Sequence, residues 1–333
     1  MVRVIQLTDG SVRRVALVDE PHLRLLQGVE SVYALAVTAA AESTPLSSLV
    51  SARASGDRLE YDAVYAGGAA WRLLPPFDHP TEPARCTVSG TGLTHLGSAR
   101  DRDAMHDQKD TAATDSMRMF QAGLAGGRPP AGSIGAAPEW FYKGTGDAIH
   151  AHGEPLIVPA YGEGAGEEAE IAGIYIVDPA GRPHRVGMAA GNEFSDHGFE
   201  QRNYLYLAGS KLLMCALGPE LVIDPSFDSV PGEVWIERNE TTIWTKRIVS
   251  GEAEMCHSLQ NIEHHHFKLA AHRRPGDVHV HFFGAHSLSF GDQVTLADGD
   301  VMGIRFEGFG RALRNAIRIE QAAHRLVVVP SLE

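Results

Sequence analysis

The sequence predicts an α+β protein that is mostly β, with a small α+β domain at its N-terminus. From residue 155 to 330 the chain consists mainly of short apolar, β-branched runs separated by turn signals such as Asp-Pro-Ala-Gly, as expected for strands joined by tight turns. Residues 1–80 instead mix strand-like segments with a helical pattern. The proline-dense segment 73–85 resists regular structure and separates the two parts. We therefore predict domains at residues 1–82 and 83–333.

The N-terminal part is predicted to begin with a hairpin. Residues 2–8 (VRVIQLT) and 12–18 (VRRVALV) form two strand-like segments, and Asp-Gly-Ser lies between them. A helical pattern follows over residues 20–55, through LRLLQ (23–27) and VYALAVTAAA (32–41).

The larger part is predicted to begin with a strand that enters a glycine turn, CTVSGTGLT (86–94). Residues 100–122 have helical spacing and precede the Gly/Pro/Ala-rich segment 123–138, so we expect a lid helix there. The β-branched run IAGIYIV (171–177) predicts a buried strand, and LVVVP (326–330) is predicted to be strand-like.

Composition limits the classes of function. The chain has 333 residues, 44% of them hydrophobic, which supports a sizeable core and excludes global disorder. Its net charge of −13 argues against binding to nucleic acid or an anionic membrane, and no apolar run is long enough to span a bilayer. The N-terminus lacks the pattern of a signal peptide, and three widely spaced cysteines suit reduced thiols. We expect a cytoplasmic protein.

Three carboxylates and a lysine form the most informative pattern. Glu168 and Glu170 are two residues apart, so on an extended strand their side chains point to the same face. Gly-Asn-Glu follows at 191–193, and Lys211 comes later. Oxygen ligands without nearby Cys or His suit Mg²⁺ better than Zn²⁺. The pattern therefore predicts a magnesium site.

Six blocks occur in a fixed order around these residues. They are GTGLTHLGSA, EWFYKGTGDAI, GNEFSDHGFE, the Ser-Lys of 210–211, PGDVHVHFFGA and GDVMGIRFEGFGRALRNAI. Together they resemble the fumarylacetoacetate hydrolase superfamily over about residues 86–320, and within it the 2-keto-3-deoxy-pentonate dehydratases. The resemblance implies a rolled mixed β-sheet fold, a Mg²⁺ cofactor (with Mn²⁺ as a substitute), a 2-keto acid substrate, and a homodimer or dimer of dimers.

The resemblance also implies roles for individual residues. Glu168 and Glu170 match the family's two glutamate ligands, and Glu193 stands where the superfamily usually has an aspartate ligand. Lys211 matches the lysine that contacts substrate oxygens. The remaining positions implied to bind substrate are Lys143 in the pocket wall, and Gly284 and Ala285 near the substrate carboxylate.

The lid departs from the hydrolase pattern. The hydrolases carry a His and a Glu there that activate water, whereas this chain has Ser98 at the histidine position and Asp101 near the glutamate position. Loss of water from the substrate therefore becomes the favoured chemistry. The general base and acid stay open among four lid residues, which are His95, Asp101, Asp103 and His106. Ser89 and Thr91, in the glycine turn, are candidates for holding the polyol tail.

The resemblance therefore implies a lyase of pentose catabolism that converts 2-keto-3-deoxy-D-pentonate to 2,5-dioxopentanoate. Lys211 would stabilise charge on the enolate that forms when a C3 proton leaves. Two alternatives remain open: an acylpyruvate hydrolase or oxaloacetate-type decarboxylase on the same metal site, and a binding protein that has lost turnover.

Other conspicuous residues are interpreted as structural. Adjacent residues point in different directions, so His264, His265 and His266 are not expected to bind one ion together. His279 and His281 share a strand face and could line the pocket. The cysteines at 215 and 256 are expected in the core.

Overall fold

The structure is a computed structural model that describes residues 1–97, 99–100 and 114–332. The strands in chain order are β1 (Val2–Thr8), β2 (Arg13–Asp19), β3 (His22–Leu26), β4 (Ala54–Glu60), β5 (Arg72–Leu73), β6 (Cys86–Gly90), β7 (Phe141–Thr145), β8 (Ile149–His150), β9 (Leu156–Val158), β10 (Ala165–Gly166), β11 (Ala169–Val177), β12 (Pro183–Asn192), β13 (Ser195–Asp196), β14 (Cys215–Leu217), β15 (Leu221–Ile223), β16 (Val230–Arg238), β17 (Thr241–Ser250), β18 (Val278–Phe282), β19 (Val301–Phe306) and β20 (Leu313–Ile319). The helices are α1 (Val32–Glu42), α2 (Leu46–Arg53), α3 (Tyr61–Tyr65), α4 (Asp115–Gly126), α5 (His197–Arg202), α6 (Leu207–Ser210) and α7 (Leu259–Phe267).

A large mixed sheet organises the described part of the chain. Its main path runs β4-β3-β2-β1-β15-β12-β11-β18-β6-β7, and β5, β8 and β14 pair beside it. The β18–β6 and β14–β8 pairs are parallel, whereas the β11–β12 hairpin at the centre is antiparallel. A second sheet has the order β17-β16-β19-β20-β9.

The main core lies between these two sheets. Ile171 and Met188, from the central hairpin, belong to one buried cluster with Ile236, Met302 and Ile304 from the second sheet. A separate buried cluster contains α1 residues and the apolar side chains of β11, β15 and β18. The central hairpin is thus covered on both faces, so groups at its end are held by packed strands.

The mostly β fold class is confirmed, and so are the first two strands and the helix over VYALAVTAAA. The helical prediction for LRLLQ is wrong, because Leu23 and Leu25 pair with Val18 and Ala16 of β2 and extend the hairpin into a three-stranded meander. LVVVP is also not a strand: it has no regular structure and is exposed. The predicted boundary near residue 82 stays a prediction, and the sheet continues across it through the β1–β15 pair.

The predicted helix over 100–122 falls partly outside the described residues. In the part that the structure describes, α4 begins at Asp115, with Thr114 as its N-cap, and extends to Gly126. None of the helices in the described ranges is long and apolar enough to cross a membrane.

The start of α1 gives a test of this architecture. Ser31 is buried, and its hydroxyl accepts a hydrogen bond from the Ala34 N–H at 3.1 Å. We expect Ser31→Ala to lower the free energy of unfolding by about 1 kcal/mol, because a helix N-terminal donor loses its partner. Urea denaturation measures the change. Ser51→Ala in α2 is the matched control, since that exposed hydroxyl only bonds back to the Ser47 carbonyl; an equal loss in both variants would contradict the capping role.

Candidate metal centre

The end of the β11–β12 hairpin brings the three sequence-selected carboxylates together. Glu170 lies in β11, Glu168 immediately precedes that strand, and Glu193 immediately follows β12. Pairing of Ala169 with Asn192 places these ends side by side. One oxygen from each carboxylate lies within 4.8 Å of the others, and all three side chains are buried.

A short network of hydrogen bonds fixes this arrangement locally. The Asn192 side-chain oxygen accepts from the N–H groups of Glu168 and Phe194, at 3.2 and 3.1 Å. The Glu193 N–H donates to the Glu168 carbonyl at 3.0 Å. The Asn192 side chain therefore accepts from backbone N–H groups that have no strand partner where the ladder ends. These bonds hold the ends of β11 and β12 in one orientation.

Two fully buried lysines face the carboxylates. The ammonium group of Lys211 donates to both Glu168 and Glu193 and lies 4.6 Å from the centre of the Phe141 ring. Lys143 Nζ is 2.8 Å from Glu193 Oε1 and also donates to the carbonyls of Phe194 and Lys211, at 2.6 and 2.9 Å. The lysine predicted for the pocket wall thus orients both Glu193 and the Lys211 backbone.

Electrostatics at this centre favour an added cation. Burial raises the pKa of Glu193 to about 7, and the charge of Glu168 adds to this effect. Burial and the two neighbouring carboxylates also raise the pKa of Glu170. Both shifts mean that the three carboxylates ionise fully only when more positive charge lies beside them, and every donor in the set is an oxygen. The residues therefore fit Mg²⁺ or Mn²⁺.

The loop after β18 touches the same centre. Gly284 N–H donates to Glu170 Oε2 at 2.7 Å. Gly284 has φ +98°, and a Cβ there would lie 2.0 Å from the Thr94 hydroxyl oxygen. Only glycine allows this approach. Ala285, which the family resemblance also selected, is buried beside it.

Glu139 was missed at the sequence level, and the structure reveals it through an alternation in burial. Glu139, Phe141 and Lys143 are buried, whereas Trp140 and Tyr142 are exposed. Side chains two residues apart on an extended chain share a face, so Glu139 points to the buried side on which Phe141 lies.

Glu139 also contacts the glycine turn. A Cβ on Gly92 would lie 2.8 Å from a Glu139 carboxylate oxygen. This turn carries Thr91, whose carbonyl lies 3.0 Å from the position of a Cβ on Gly284. The turn therefore connects the Glu139 carboxylate to the loop that binds Glu170.

The two hydroxyl groups predicted to hold the polyol tail bond to a histidine. Ser89 and Thr91 both hydrogen-bond to His281, at 3.0 and 2.7 Å, so their hydroxyls face that ring. His95 is buried against Thr94, and burial lowers its pKa to about 3. Its imidazole is therefore neutral at physiological pH.

The lid predictions for Ser98, Asp101, Asp103 and His106 lie outside the described residues. The cysteines agree with their interpretation as core residues, because Cys86, Cys215 and Cys256 are all buried free thiols. Burial raises the pKa of Cys256 to about 11, so the thiolate form is disfavoured.

Comparisons with known proteins identify the fold. No family model matches the chain, and no curated protein matches it in sequence. Among solved structures, a 2-keto-3-deoxyarabinonate dehydratase superposes with a TM-score of 0.72 at 17% identity, over 96% of this chain and 100% of that one. A 2-keto-3-deoxy-D-arabinonate dehydratase complexed with magnesium and 2,5-dioxopentanoate gives 0.70 at 18% identity, with the same coverage.

A fumarylacetoacetate hydrolase from psychrophilic Exiguobacterium antarcticum gives a TM-score of 0.60 at 18% identity, over 96% of this chain and 100% of that one. The chain therefore has the fold of the fumarylacetoacetate hydrolase superfamily, and the predicted resemblance is confirmed at the level of fold.

Removal of one carboxylate tests the metal centre. We expect Glu170→Gln to weaken Mg²⁺ binding by about 100-fold or more, since a charged ligand is lost while the amide oxygen can still accept from Gly284. Isothermal titration with Mg²⁺ measures affinity, and circular dichroism checks the fold. Glu167→Gln is the control, because that buried carboxylate binds Ser289 instead. Normal Mg²⁺ affinity in the Glu170 variant would remove this residue from the ligand set.

Proposed function

We propose that this protein is a Mg²⁺-dependent hydro-lyase that dehydrates a 2-keto-3-deoxy sugar acid, with 2-keto-3-deoxy-D-pentonate as substrate and 2,5-dioxopentanoate as product. The observation that carries the proposal is the buried centre of three glutamates and two lysines. The similarity in fold to dehydratases of this substrate class supports it.

The carboxylates define what the centre can bind. Glu168, Glu170 and Glu193 would hold the cation, which supplies Lewis-acid polarisation of a 2-keto group. A 2-keto acid offers two oxygens in the right relation for one cation, its carboxylate and its keto oxygen. The donor set therefore selects a substrate by its 2-keto acid end.

The lysines provide fixed positive charge beside that end. Lys211 Nζ is held by two carboxylates and by the face of Phe141, so its position is set before substrate arrives. Negative charge develops on the 2-keto oxygen as the C3 proton leaves. A preorganised ammonium group at this point stabilises that charge at little reorganisation cost.

Glu139 is the residue that we assign to proton transfer. Dehydration removes a proton from C3 and delivers one to the departing C4 hydroxyl, so one carboxylate can perform both steps and no water is consumed. Glu139 is buried two residues before Phe141 and beside the glycine turn. His95, the alternative selected at the sequence level, is a poor proton carrier because burial lowers its pKa to about 3.

Substrate profiling tests the reaction class. With Mg²⁺, purified protein should convert 2-keto-3-deoxy-D-pentonate to a semialdehyde that a coupled dehydrogenase oxidises, and EDTA should abolish this turnover. Restoring Mg²⁺ should restore it. Turnover of acylpyruvates or oxaloacetate with no turnover of the sugar acid would overturn the dehydratase assignment and favour hydrolysis or decarboxylation.

The role of Glu139 has its own test. We expect Glu139→Gln to lower kcat by about 10²–10⁴-fold with little change in KM, because the amide cannot take the C3 proton. Mg²⁺ affinity should stay normal, which separates this effect from damage to the metal centre. Glu154→Gln is a matched control outside the site, where the carboxylate accepts from the Ala151 N–H. A kcat within about twofold of wild type would refute the assignment.

A further inference from the structure

A second cluster of potential ligands lies away from the carboxylates. His266 is near the end of α7, His272 lies in the 3₁₀ turn Ala270–Arg273, and His279 is in β18. One ring nitrogen from each lies within 4.8 Å of the others. His266 and His279 are almost completely buried, and His272 is half-buried.

This cluster lies on the other face of the large sheet from the carboxylates. His279 pairs with Tyr175 of β11, and paired residues share a face. Tyr175 and Glu170 are five residues apart, so strand alternation directs them to opposite faces. At about 3.3 Å per residue, the two positions are roughly 16 Å apart along β11.

Neighbouring groups that can only donate or only accept determine which nitrogen of each ring carries the proton. Trp140 can only donate, and its indole N–H bonds to His266 Nδ1 at 3.2 Å. His266 therefore carries its proton on Nε2, 3.0 Å from His279 Nδ1. His272 Nδ1 must donate to the His266 carbonyl at 2.8 Å, which leaves a lone pair on its Nε2.

Two features suit the cluster to a metal ion. His279 accepts the hydrogen bond from His266 at Nδ1, so this nitrogen has a lone pair that an ion could take in place of the proton. Burial also keeps the rings uncharged, since it lowers the pKa of His266 and lowers that of His279 to about 4. Neutral imidazole is the form that binds metal ions.

We propose that His266, His272 and His279 bind a first-row transition-metal ion of the zinc class, and that this ion clips α7, the 270–273 turn and β18 together. Three imidazole donors select Zn²⁺, Co²⁺, Ni²⁺ or Cu²⁺ over Mg²⁺. In the described part of the chain, no carboxylate or thiolate joins this donor set. The half-buried His272 provides access from solvent.

Binding has a defined consequence for Trp140. When His266 coordinates the ion through Nε2, its ring proton must lie on Nδ1. In the structure, the Trp140 N–H points at that same nitrogen. The two donors repel each other, so the indole turns away, which is feasible because Trp140 is 39% exposed. The rings are already neutral, so protons shift within His266 and none needs to be released.

The test uses the full-length protein in saturating Mg²⁺, so that the carboxylate centre is occupied. Titration with Co²⁺ should give about one equivalent of binding, with absorption bands typical of nitrogen ligation and a change in tryptophan fluorescence. Zn²⁺ should displace the Co²⁺ and raise Tm. If the wild-type protein does not bind Co²⁺ in this titration, the proposal is overturned, whatever the variants show.

Variants assign the ligands. His272→Ala should weaken Co²⁺ binding by more than about 100-fold, since a direct ligand is lost. His264→Ala, on the same helix but outside the cluster, should bind normally. Trp140→Phe should bind at least as tightly as wild type and lose the fluorescence change. Equal weakening in the His264 and His272 variants, or strong weakening in the Trp140 variant, would refute the assignment. Dehydratase activity is not involved, so this result and that of the proposed function are independent.

Discussion

The rest of the site depends on one electrostatic constraint, the burial of three carboxylates at the end of a single hairpin. Each buried ion costs several kcal/mol unless an opposite charge lies beside it. Lys143 and Lys211 supply part of that compensation, and neither is exposed. Full ionisation of all three carboxylates needs further positive charge, which makes the centre a receptor for a divalent cation. The Gly284 N–H and the face of Phe141 complete the surroundings of the carboxylates and lysines.

Strand alternation directs neighbouring side chains to the two faces of the sheet. Along residues 139–143, Phe141 and Lys143 point to the carboxylate centre, whereas Trp140 bonds to His266 on the other side. Along β18, His279 points to the same side as Tyr175 of the neighbouring strand. A single short segment therefore supplies groups to two chemically different environments: one rich in hard oxygen donors, the other in imidazole nitrogens.

Much of the carboxylate centre could be predicted from the sequence, because its information is local. Glu168 and Glu170 follow the two-residue period of a strand, and Gly-Asn-Glu marks the returning strand. The histidine cluster could not be found this way, since its members lie six and seven residues apart on three different elements. The helix prediction for LRLLQ failed for a related reason, because pairing with the distant residues of β2 outweighs the local helical pattern. Glu139 gave no such signal, because residues 139–143 (EWFYK) do not alternate between polar and apolar types; the alternation is in burial, which only the structure shows.

Burial also bears on the choice between loss of water and hydrolysis. Hydrolysis needs a water molecule that is positioned and deprotonated by a base, and the family resemblance puts Ser98 at the position of the histidine expected for that task. Burial lowers the pKa of His95, which follows the glycine turn, to about 3, so this histidine is a weak base for activating water. Elimination needs only a carboxylate that takes a proton from carbon and returns it to oxygen. Glu139, the carboxylate that we propose for this step, is buried beside the glycine turn.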